Sequence, residues 1–232
     1  MPAWNEADVI AATVSELRSV RPDLEILVVD DGSTDETASI AARAGARVLR
    51  LPYNLGVGGA MRVGYKYALR EGFTRAIQVD ADGQHDPREI EEVLAGLEHA
   101  DISIGARFAE KGDYQARGPR RWAMSALARS MSRIARTRLT DVTSGFRAAN
   151  SRAIEQYAHY YPAEYLGDTV DSLMMAVRSG LHVVQVPVEM RPRQGGTPSN
   201  NPVESAMYLV RSMFALLIAL TRKRTAREGP LQ

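Results

Sequence analysis

The chain has 232 residues, of which 45% are hydrophobic and 25% charged, and its formal net charge at pH 7 is +1. This composition is typical of one globular domain with a sizeable core, and the near-neutral charge excludes a global attraction to nucleic acid. No cysteine is present, which excludes disulfides, zinc–thiolate sites and a cysteine nucleophile. The first residues lack the basic and apolar segments of a signal peptide, so the sequence predicts a cytoplasmic protein.

The first predicted element is a helix rather than a strand. Residues 6–18 have apolar side chains at helical spacing, and only residues 1–3 are available for a strand before them. A domain of alternating strands and helices would normally begin with a strand. We therefore expect either a first strand that is short or missing or, as the interpretation we favour, a start codon that was assigned too late.

Strands and helices then alternate along the first half of the chain. The β-type runs are residues 25–29, 47–51, 76–79 and 101–104. The segments with helical spacing between them are residues 35–44, 58–70 and 87–99. This alternation predicts an α/β fold with a doubly wound, mostly parallel sheet flanked by helices, in which ligands bind beyond the carboxyl ends of the strands.

The pattern changes after about residue 106. The elements predicted here are a basic helix over residues 117–138, a turn-rich segment over 141–147, a helix over 169–179, a strand over 182–190 and an amphipathic helix over 203–220. Basic residues at 222–224 follow the last helix, and this arrangement favours contact with a membrane surface. A buried helix or a partner-docking helix fits the pattern equally well.

A polar cluster follows the run at residues 76–79 and contains Asp80, Asp82, Gln84 and His85. A calcium loop of the EF-hand type would need glycine where His85 stands, and a helix before it. A plain polar turn is the simplest alternative. The third interpretation is a site for a divalent cation, because two carboxylates and an amide supply the hard oxygen ligands that such ions prefer alongside substrate phosphates. We favour a site for a metal and a diphosphate, with His85 in a structural role.

A second acidic pair, Asp30 and Asp31, follows the run at residues 25–29. A carboxylate at such a position can accept hydrogen bonds from the base or ribose of a nucleotide. The alternative is that both are solvated, while Asp35 caps the next helix. We predict that Asp31 binds the nucleotide and that Asp35 caps the next helix. The glycine-rich segment 54–62 does not have the G-x-G-x-x-G spacing, and it is interpreted as a loop that lets a helix approach the sheet closely.

Arginine is frequent in the middle of the chain. The residues are Arg117, Arg120, Arg121, Arg129, Arg133, Arg136 and Arg138. They indicate either a solvated basic helix or a surface for anionic lipid or a phosphate-bearing acceptor, because guanidinium groups bind phosphate bidentately. Arg193 lies in a turn-rich loop after the last predicted strand, and it could hold a phosphate if that loop faces the acidic residues.

Several motifs, taken in order, resemble the family 2 glycosyltransferases of GT-A fold. They are Pro2-Ala3-Trp4-Asn5-Glu6, Val29-Asp30-Asp31-Gly32-Ser33-Thr34-Asp35, Asn54-Leu55-Gly56-x-Gly58-Gly59-Ala60, Asp80-Ala81-Asp82-Gly83-Gln84-His85 and Gly105-Ala106-Arg107-Phe108. Two further motifs, Thr143-Ser144-Gly145-Phe146-Arg147 and Met190-x-x-Arg193-x-x-Gly196, are similar to the branch of dolichyl- and polyprenyl-phosphate hexosyltransferases. The likeness extends from residue 2 to about residue 200.

The resemblance implies an inverting, metal-dependent transfer of a hexosyl group from a nucleoside diphosphate sugar to a polyprenyl phosphate, with Mg²⁺ or Mn²⁺ as cofactor. It assigns the nucleotide to Ala3, Glu6, Asp31 and Asp80, the metal to Asp80, Asp82 and Gln84, and the acceptor phosphate to Arg117, Arg121, Ser144 and Arg193. Asp82, Ser144 and Arg193 would be the catalytic residues. The implied organisation is a nucleotide-sugar half over residues 1–108, an acceptor half over 109–200, an amphipathic helix within 201–224 and a disordered tail over 225–232.

A phosphate acceptor is already ionised near neutral pH and needs no base, whereas a sugar hydroxyl would need one, for which Asp168 and Asp171 are candidates. Two alternatives therefore stay open: a glycosyltransferase with a saccharide or small hydroxyl acceptor, and an inactive nucleotide-sugar-binding or membrane-adaptor subunit. The expected partners are the sugar donor, the lipid phosphate, and a membrane surface or membrane protein at the inner face of the cell membrane, with no nucleic acid.

Overall fold

A computed structural model of the chain describes residues 1–106, 119–162 and 168–192, with backbone only for residues 119–126 and 168. The strands are β1 (Pro2–Ala3), β2 (Leu27–Asp30), β3 (Arg47–Arg50), β4 (Arg75–Gln78), β5 (Ile102–Ala106), β6 (Arg147–Asn150) and β7 (Val183–Pro187). The α-helices are α1 (Ile10–Val20), α2 (Thr37–Arg43), α3 (Val57–Arg70), α4 (Ile90–Ala95), α5 (Pro119–Ala135), α6 (Ser151–His159) and α7 (Asp168–Arg178). Short 3₁₀ turns, Pro87–Glu89 and Gly96–Glu98, flank α4.

The strands form two sheets. One has the order β1-β2-β3 with parallel pairing throughout, and the other has the order β4-β6-β5-β7. In the second sheet β5 and β7 are parallel, whereas β6 runs antiparallel to both β4 and β5. The predicted α/β class is confirmed. The second sheet is mixed rather than mostly parallel, because β6 lies between β4 and β5 and runs antiparallel to both.

The first strand is present and two residues long. Pro2 pairs with Val29 and Ala3 with Asp30, so β1 covers only the carboxyl end of β2. Next to this short strand, a cavity of about 340 Å³ lies between the remainder of β2 and the strand β4. The cavity therefore lies between the two sheets.

Local hydrogen bonds move several element boundaries away from the predicted ones. The helix predicted over residues 6–18 begins at Ile10, because the amide of Glu6 donates to Thr37 Oγ1 at 2.8 Å and so belongs to a loop. The helix predicted over residues 87–99 is divided into α4 and its two 3₁₀ turns. Asp86 begins the first of these turns, where its carboxylate accepts from the amide of Arg88.

Two elements of the second half were not predicted. The segment interpreted as turns ends in β6, and α6 follows β6 directly. Asn150 joins them, because its Oδ1 accepts a hydrogen bond from the amide of Ala153 at 3.1 Å and caps α6. Because β6 lies between β4 and β5, the residues that lead into it, 142–147, lie beside the polar loop that follows β4.

One buried cluster brings those two segments together. Phe146 and Val79 are buried in the same apolar cluster as Ile90 and Val93 of α4. Because Phe146 precedes β6 and Val79 follows β4, their packing holds the loop before β6 against the loop after β4.

Replacing Gly64 with alanine is expected to stabilise the protein by up to about 1 kcal/mol, because glycine inside a helix has excess backbone freedom in the unfolded chain. Gly64 lies within α3, and a Cβ there would meet only Val29 Cγ2 at 3.8 Å, an ordinary contact. Urea denaturation measures the change. A lower free energy of unfolding in Gly64→Ala would contradict this view of α3.

No helix in the described part of the chain is long and apolar enough to cross a bilayer. The amphipathic helix predicted within residues 201–224 and the tail over 225–232 lie outside the described residues.

Candidate active site

The loops that follow β1 and β2 are hydrogen-bonded to each other. The amide of Asn5 donates to Ser33 Oγ at 2.9 Å, and the amide of Thr34 donates to Asn5 Oδ1 at 2.9 Å. Asn5 adopts a positive φ of 54°, a conformation in which asparagine is enriched among non-glycine residues. Together with the bond from Glu6 to Thr37, these contacts make one continuous edge at the carboxyl ends of β1 and β2.

Asp31 lies at this edge and joins the loops after β1 and β3. Its amide donates to the carbonyl of Ala3 at 2.8 Å, and its Oδ1 accepts from the amide of Leu55 at 2.8 Å. Burial raises the pKa of Asp31, while hydrogen bonds from the amides of Leu55 and Gly56 oppose that rise. The loop after β3 therefore holds the carboxylate in one orientation, while the Ala3 carbonyl holds the Asp31 backbone.

The neighbouring acidic residues have structural roles. Asp30 is fully buried, where its Oδ1 accepts from the amide of Ser33 at 3.0 Å and its Oδ2 lies 3.3 Å from Arg50 Nε. The Arg50 contact is an ion pair without hydrogen-bond geometry. Asp35 Oδ1 accepts from the amide of Thr37 at 3.0 Å, at the start of α2. The N-cap residue of α2 is Glu36, so Asp35 contacts the first residue of the helix from one position before the cap that was predicted for it.

The loop after β4 holds two carboxylates in different environments. Gln78 Nε2 donates to Asp80 Oδ1 at 3.0 Å, and the amide of Gln84 donates to Asp82 Oδ1 at 3.0 Å. The Asp80 side chain is 38% exposed, whereas Asp82 is buried at 7% exposure. Gly83, with a φ of 74°, allows the tight turn that brings Asp82 and Gln84 together.

His85 supports this loop from inside the protein. Its Nδ1 accepts from the amide of Asp80 at 3.0 Å, so the neutral ring carries its proton on Nε2, which lies 3.7 Å from Asp80 Oδ2. The ring stacks on Phe146 with 4.7 Å between centroids. On the opposite side, Thr13 Oγ1 of α1 donates to the carbonyl of Ala81 at 2.9 Å. These contacts give His85 the structural role that was predicted for it.

The loop before β6 backs directly onto Asp80. A Cβ atom at Gly145 would lie 3.0 Å from Asp80 Oδ2 and 3.0 Å from Gln78 Nε2. A side chain at this position would require the ends of the Asp80 and Gln78 side chains to move by a few tenths of an ångström. The structure therefore joins the segment predicted to face the acceptor to the segment predicted to hold the metal.

The hydroxyl of Ser144 is part of the framework of that loop. Its Oγ donates to the carbonyl of Gly105 at 2.6 Å and accepts from the amide of Phe146 at 3.3 Å. Ser144 is buried at 6% exposure. To donate to a phosphate, the hydroxyl would have to turn away from Gly105, so its assignment to the acceptor stays a prediction.

Replacing Gly145 with alanine is expected to lower catalytic turnover about tenfold or more. The new methyl group would lie closer to the Asp80 carboxylate than an ordinary van der Waals contact and would displace it by a few tenths of an ångström. Steady-state kinetics together with thermal melting measure the effect. Gly64→Ala is the matched control, since it adds the same methyl group where the nearest neighbour, Val29 Cγ2, lies at an ordinary contact distance of 3.8 Å. Unchanged turnover in Gly145→Ala would show that Asp80 needs no fixed position.

The remaining predicted residues are only partly described. Arg117 and Arg193 lie outside the described residues, and Arg121 lies in α5 at a position where only the backbone is described. Asp168 begins α7 and is likewise described by its backbone alone, whereas Asp171 lies within the helix.

The described ranges contain no group of three or more His, Cys, Asp and Glu side chains arranged to hold a metal. Asp80, Asp82 and the side-chain amide oxygen of Gln84 are the donors predicted to hold a metal, whereas the carboxylate of Asp86, at the end of the same loop, is paired with Arg88 and Arg191. Carboxylate and amide oxygens are hard donors of the type that Mg²⁺ accepts.

Three residues of the site were missed by the reasoning from sequence. Gln78 could have been found as the one amide in an apolar strand next to the acidic cluster. The approach of Gly145 to Asp80 has no local signal, because these residues are far apart in the chain. Arg191, which contacts Asp86, has none either.

Residues 1–158 match the family model described as Glycosyl transferase family 2, and the chain belongs to this family. It is a glycosyltransferase, and the predicted family and enzyme class are confirmed. Among its relatives, the polyprenol monophosphomannose synthase of Mycolicibacterium smegmatis is 28% identical over 90% of this chain and 83% of that protein. The undecaprenyl-phosphate mannosyltransferase of Micrococcus luteus is 32% identical over 84% of each chain.

Solved structures with the same fold confirm the GT-A prediction. The mannosyl-3-phosphoglycerate synthase of Rubrobacter xylanophilus has a TM-score of 0.65 and 19% identity, covering all of this chain and 76% of its own. The glucosyl-3-phosphoglycerate synthase of Mycobacterium tuberculosis, in complex with Mn²⁺, UDP and phosphoglyceric acid, has a TM-score of 0.64 and 23% identity, covering 94% and 75%.

Proposed function

We propose that the protein transfers a hexosyl group from a nucleoside diphosphate sugar to a polyprenyl phosphate, in an inverting reaction that depends on Mg²⁺ or Mn²⁺. The observation that supports the proposal is the approach of Gly145 to Asp80, because Gly145 belongs to the loop proposed to face the acceptor and Asp80 to the loop proposed to hold the diphosphate. The names of two relatives, polyprenol monophosphomannose synthase and undecaprenyl-phosphate mannosyltransferase, support this choice of acceptor.

The donor nucleotide would bind at the edge formed by the loops after β1, β2 and β3. Asp31 is fixed there by the Leu55 amide, and its carboxylate would accept from the base or ribose. Ala3 and Glu6 would contact the nucleotide from the loop after β1, whose geometry is fixed through Asn5. A fixed frame of this kind reduces the entropy lost when the donor binds.

The diphosphate and its metal would bind at the loop after β4. Asp80, Asp82 and Gln84 would hold the metal, while Asp80 would also face the nucleotide. The metal, when bound, neutralises the charge that develops on the departing diphosphate. Gln78 and the Gln84 amide keep the two carboxylates in their orientations before any ligand arrives, so that little reorganisation accompanies the reaction.

The acceptor phosphate would be held by guanidinium groups of Arg117, Arg121 and Arg193, with Ser144 beside them. Arginine suits this task because its planar donors match phosphate oxygens in pairs. A phosphate oxygen is already ionised and attacks the anomeric carbon without a base, on the face opposite to the departing diphosphate. The chain then mainly aligns the two substrates and excludes water.

A lipid acceptor requires that the protein reach a membrane surface. The apolar positions of residues 203–220 and the basic residues at 222–224 are suited to lying in the headgroup region of an anionic bilayer. We propose this segment as the peripheral contact, or as the docking site of a membrane protein partner.

An acceptor panel tests the proposal. The protein is incubated with Mn²⁺ and radiolabelled GDP-mannose, UDP-glucose or UDP-N-acetylglucosamine, together with polyprenyl phosphate, polyprenol or a free saccharide. We expect label in the organic phase with polyprenyl phosphate and none with polyprenol, which lacks only the phosphate. Transfer to a saccharide would favour the hydroxyl-acceptor alternative, and nucleotide binding without any transfer would favour an inactive subunit.

A further inference from the structure

Arg191 joins three separate segments beneath the loop after β4. Its guanidinium pairs bidentately with Asp86, through Nε at 3.1 Å from Oδ2 and Nη2 at 2.8 Å from Oδ1. The remaining nitrogen, Nη1, lies 2.8 and 2.9 Å from the two carboxylate oxygens of Glu16 in α1. Its backbone amide donates to the carbonyl of Gln84 at 2.9 Å. One residue after β7 thus holds α1 and both ends of the segment 84–86.

The ion pair between Arg191 and Asp86 lies in a largely buried position. The Arg191 side chain is 22% exposed and that of Asp86 is 8% exposed, so solvent screens this pair less than a surface pair. Both carboxylate oxygens of Asp86 are therefore paired with the Arg191 guanidinium in a largely buried position.

Arg88 offers a natural comparison, because it also pairs with Asp86, at 2.7 Å. It differs in two respects. Its side chain is 70% exposed, and it lies two residues from Asp86 in the same turn. Arg88 thus strengthens a local turn, whereas Arg191 connects segments that are distant in the sequence.

The backbone adds a second link at the same place. His85 and Met190 form an antiparallel bridge, so the segment after β7 runs directly alongside the loop after β4. Since His85 accepts from the amide of Asp80, the bridge and the Arg191 contacts bear on the same loop from two points.

We propose that Arg191 is a positioning residue that fixes Gln84 and the adjoining carboxylates in the geometry that binds the metal and the diphosphate. The inference rests on the proposed function, and it concerns a residue that need not touch either substrate. Groups that hold metal ligands in place commonly contribute about 10- to 100-fold to metal affinity. Without the guanidinium, the segment 84–86 keeps its local bonds but loses its connection to α1.

The test compares Arg191→Gln with the matched variant Arg88→Gln. Free Mn²⁺ is measured by electron paramagnetic resonance while each protein is titrated with the ion, with saturating UDP and separately with saturating GDP. We expect the Mn²⁺ Kd to rise about tenfold or more in Arg191→Gln and less than about twofold in Arg88→Gln. Thermal melting of both variants, without ligands, reports the change in stability separately.

Two milder variants keep the inference testable if Arg191→Gln does not fold. Glu16→Gln removes the link to α1 alone, and Arg191→Lys retains the charge but not the double pairing. Both are expected to show intermediate losses of Mn²⁺ affinity. Wild-type Mn²⁺ affinity in the folded variants, even with a lower melting temperature, would overturn the inference and leave the proposed function intact. Failure of the wild-type protein to bind Mn²⁺ with either nucleotide would overturn both.

Discussion

Replacing Asp82 with asparagine is expected to lower the turnover of hexosyl transfer by roughly a hundredfold or more, with little change in stability. The substitution keeps the shape of the side chain and an Oδ1 that can still accept from the amide of Gln84. It removes one of the two negative charges proposed to hold the metal. Initial rates of label transfer and thermal melting measure the two effects separately.

A surface aspartate provides the control for this change. Asp23 pairs with Arg21 at 2.8 Å, and its side chain is 58% exposed, away from the acidic loop. Asp23→Asn is expected to retain wild-type turnover. If Asp82→Asn also retained turnover within about twofold, the assignment of this carboxylate to the metal and diphosphate would be wrong.

Replacing Arg147 with methionine is expected to lower the free energy of unfolding by about 3 kcal/mol or more, because three carbonyl groups lose a charged donor. Arg147 is 4% exposed, and its guanidinium donates to the carbonyls of Ser144 at 2.7 Å, Val142 at 2.8 Å and Thr169 at 2.7 Å. It thus joins the loop before β6 to the start of α7. Urea denaturation measures the loss.

Replacing an exposed arginine shows how large a change in the free energy of unfolding an ordinary surface substitution causes. Arg43 pairs with Glu36 at 3.7 Å, with its side chain 65% exposed, and Arg43→Met is expected to change stability by no more than about 0.5 kcal/mol. Arg147→Lys, which keeps a charge but fewer donors, is expected to lie between the two. A loss in Arg147→Met no larger than that of Arg43→Met would contradict the structural role of this guanidinium.

The first half of the fold could be predicted because its signals are local. The predicted runs at residues 25–29, 47–51, 76–79 and 101–104 lie within two residues of β2 to β5 at either end. Apolar runs bounded by polar turns are sufficient for parallel strands that are buried by helices. The carboxylates at the ends of β2 and β4 follow from the same pattern, since a sheet of this class gathers strand ends at one edge.

In the second half, α5, α7 and β7 lie where helices and a strand were predicted, whereas β6 and α6 could not be predicted because their order comes from tertiary packing. The strand β6 contains Ala148 and Ala149 rather than β-branched residues, so its composition does not indicate a strand. It forms because these small, fully buried side chains fit between β4 and β5. The contacts of Gly145 and Arg191 with the acidic loop depend on that placement, and no local pattern could reveal them.

The central claim, metal-dependent transfer to a lipid phosphate, is tested most directly by one measurement. The initial rate of transfer to polyprenyl phosphate is followed after divalent ions are removed with EDTA and dialysis, and again after Mn²⁺ is restored. We expect that the rate falls to background and recovers with Mn²⁺, and that polyprenol gives no product in either condition. An undiminished rate without divalent ions, or equal transfer to polyprenol, would contradict it.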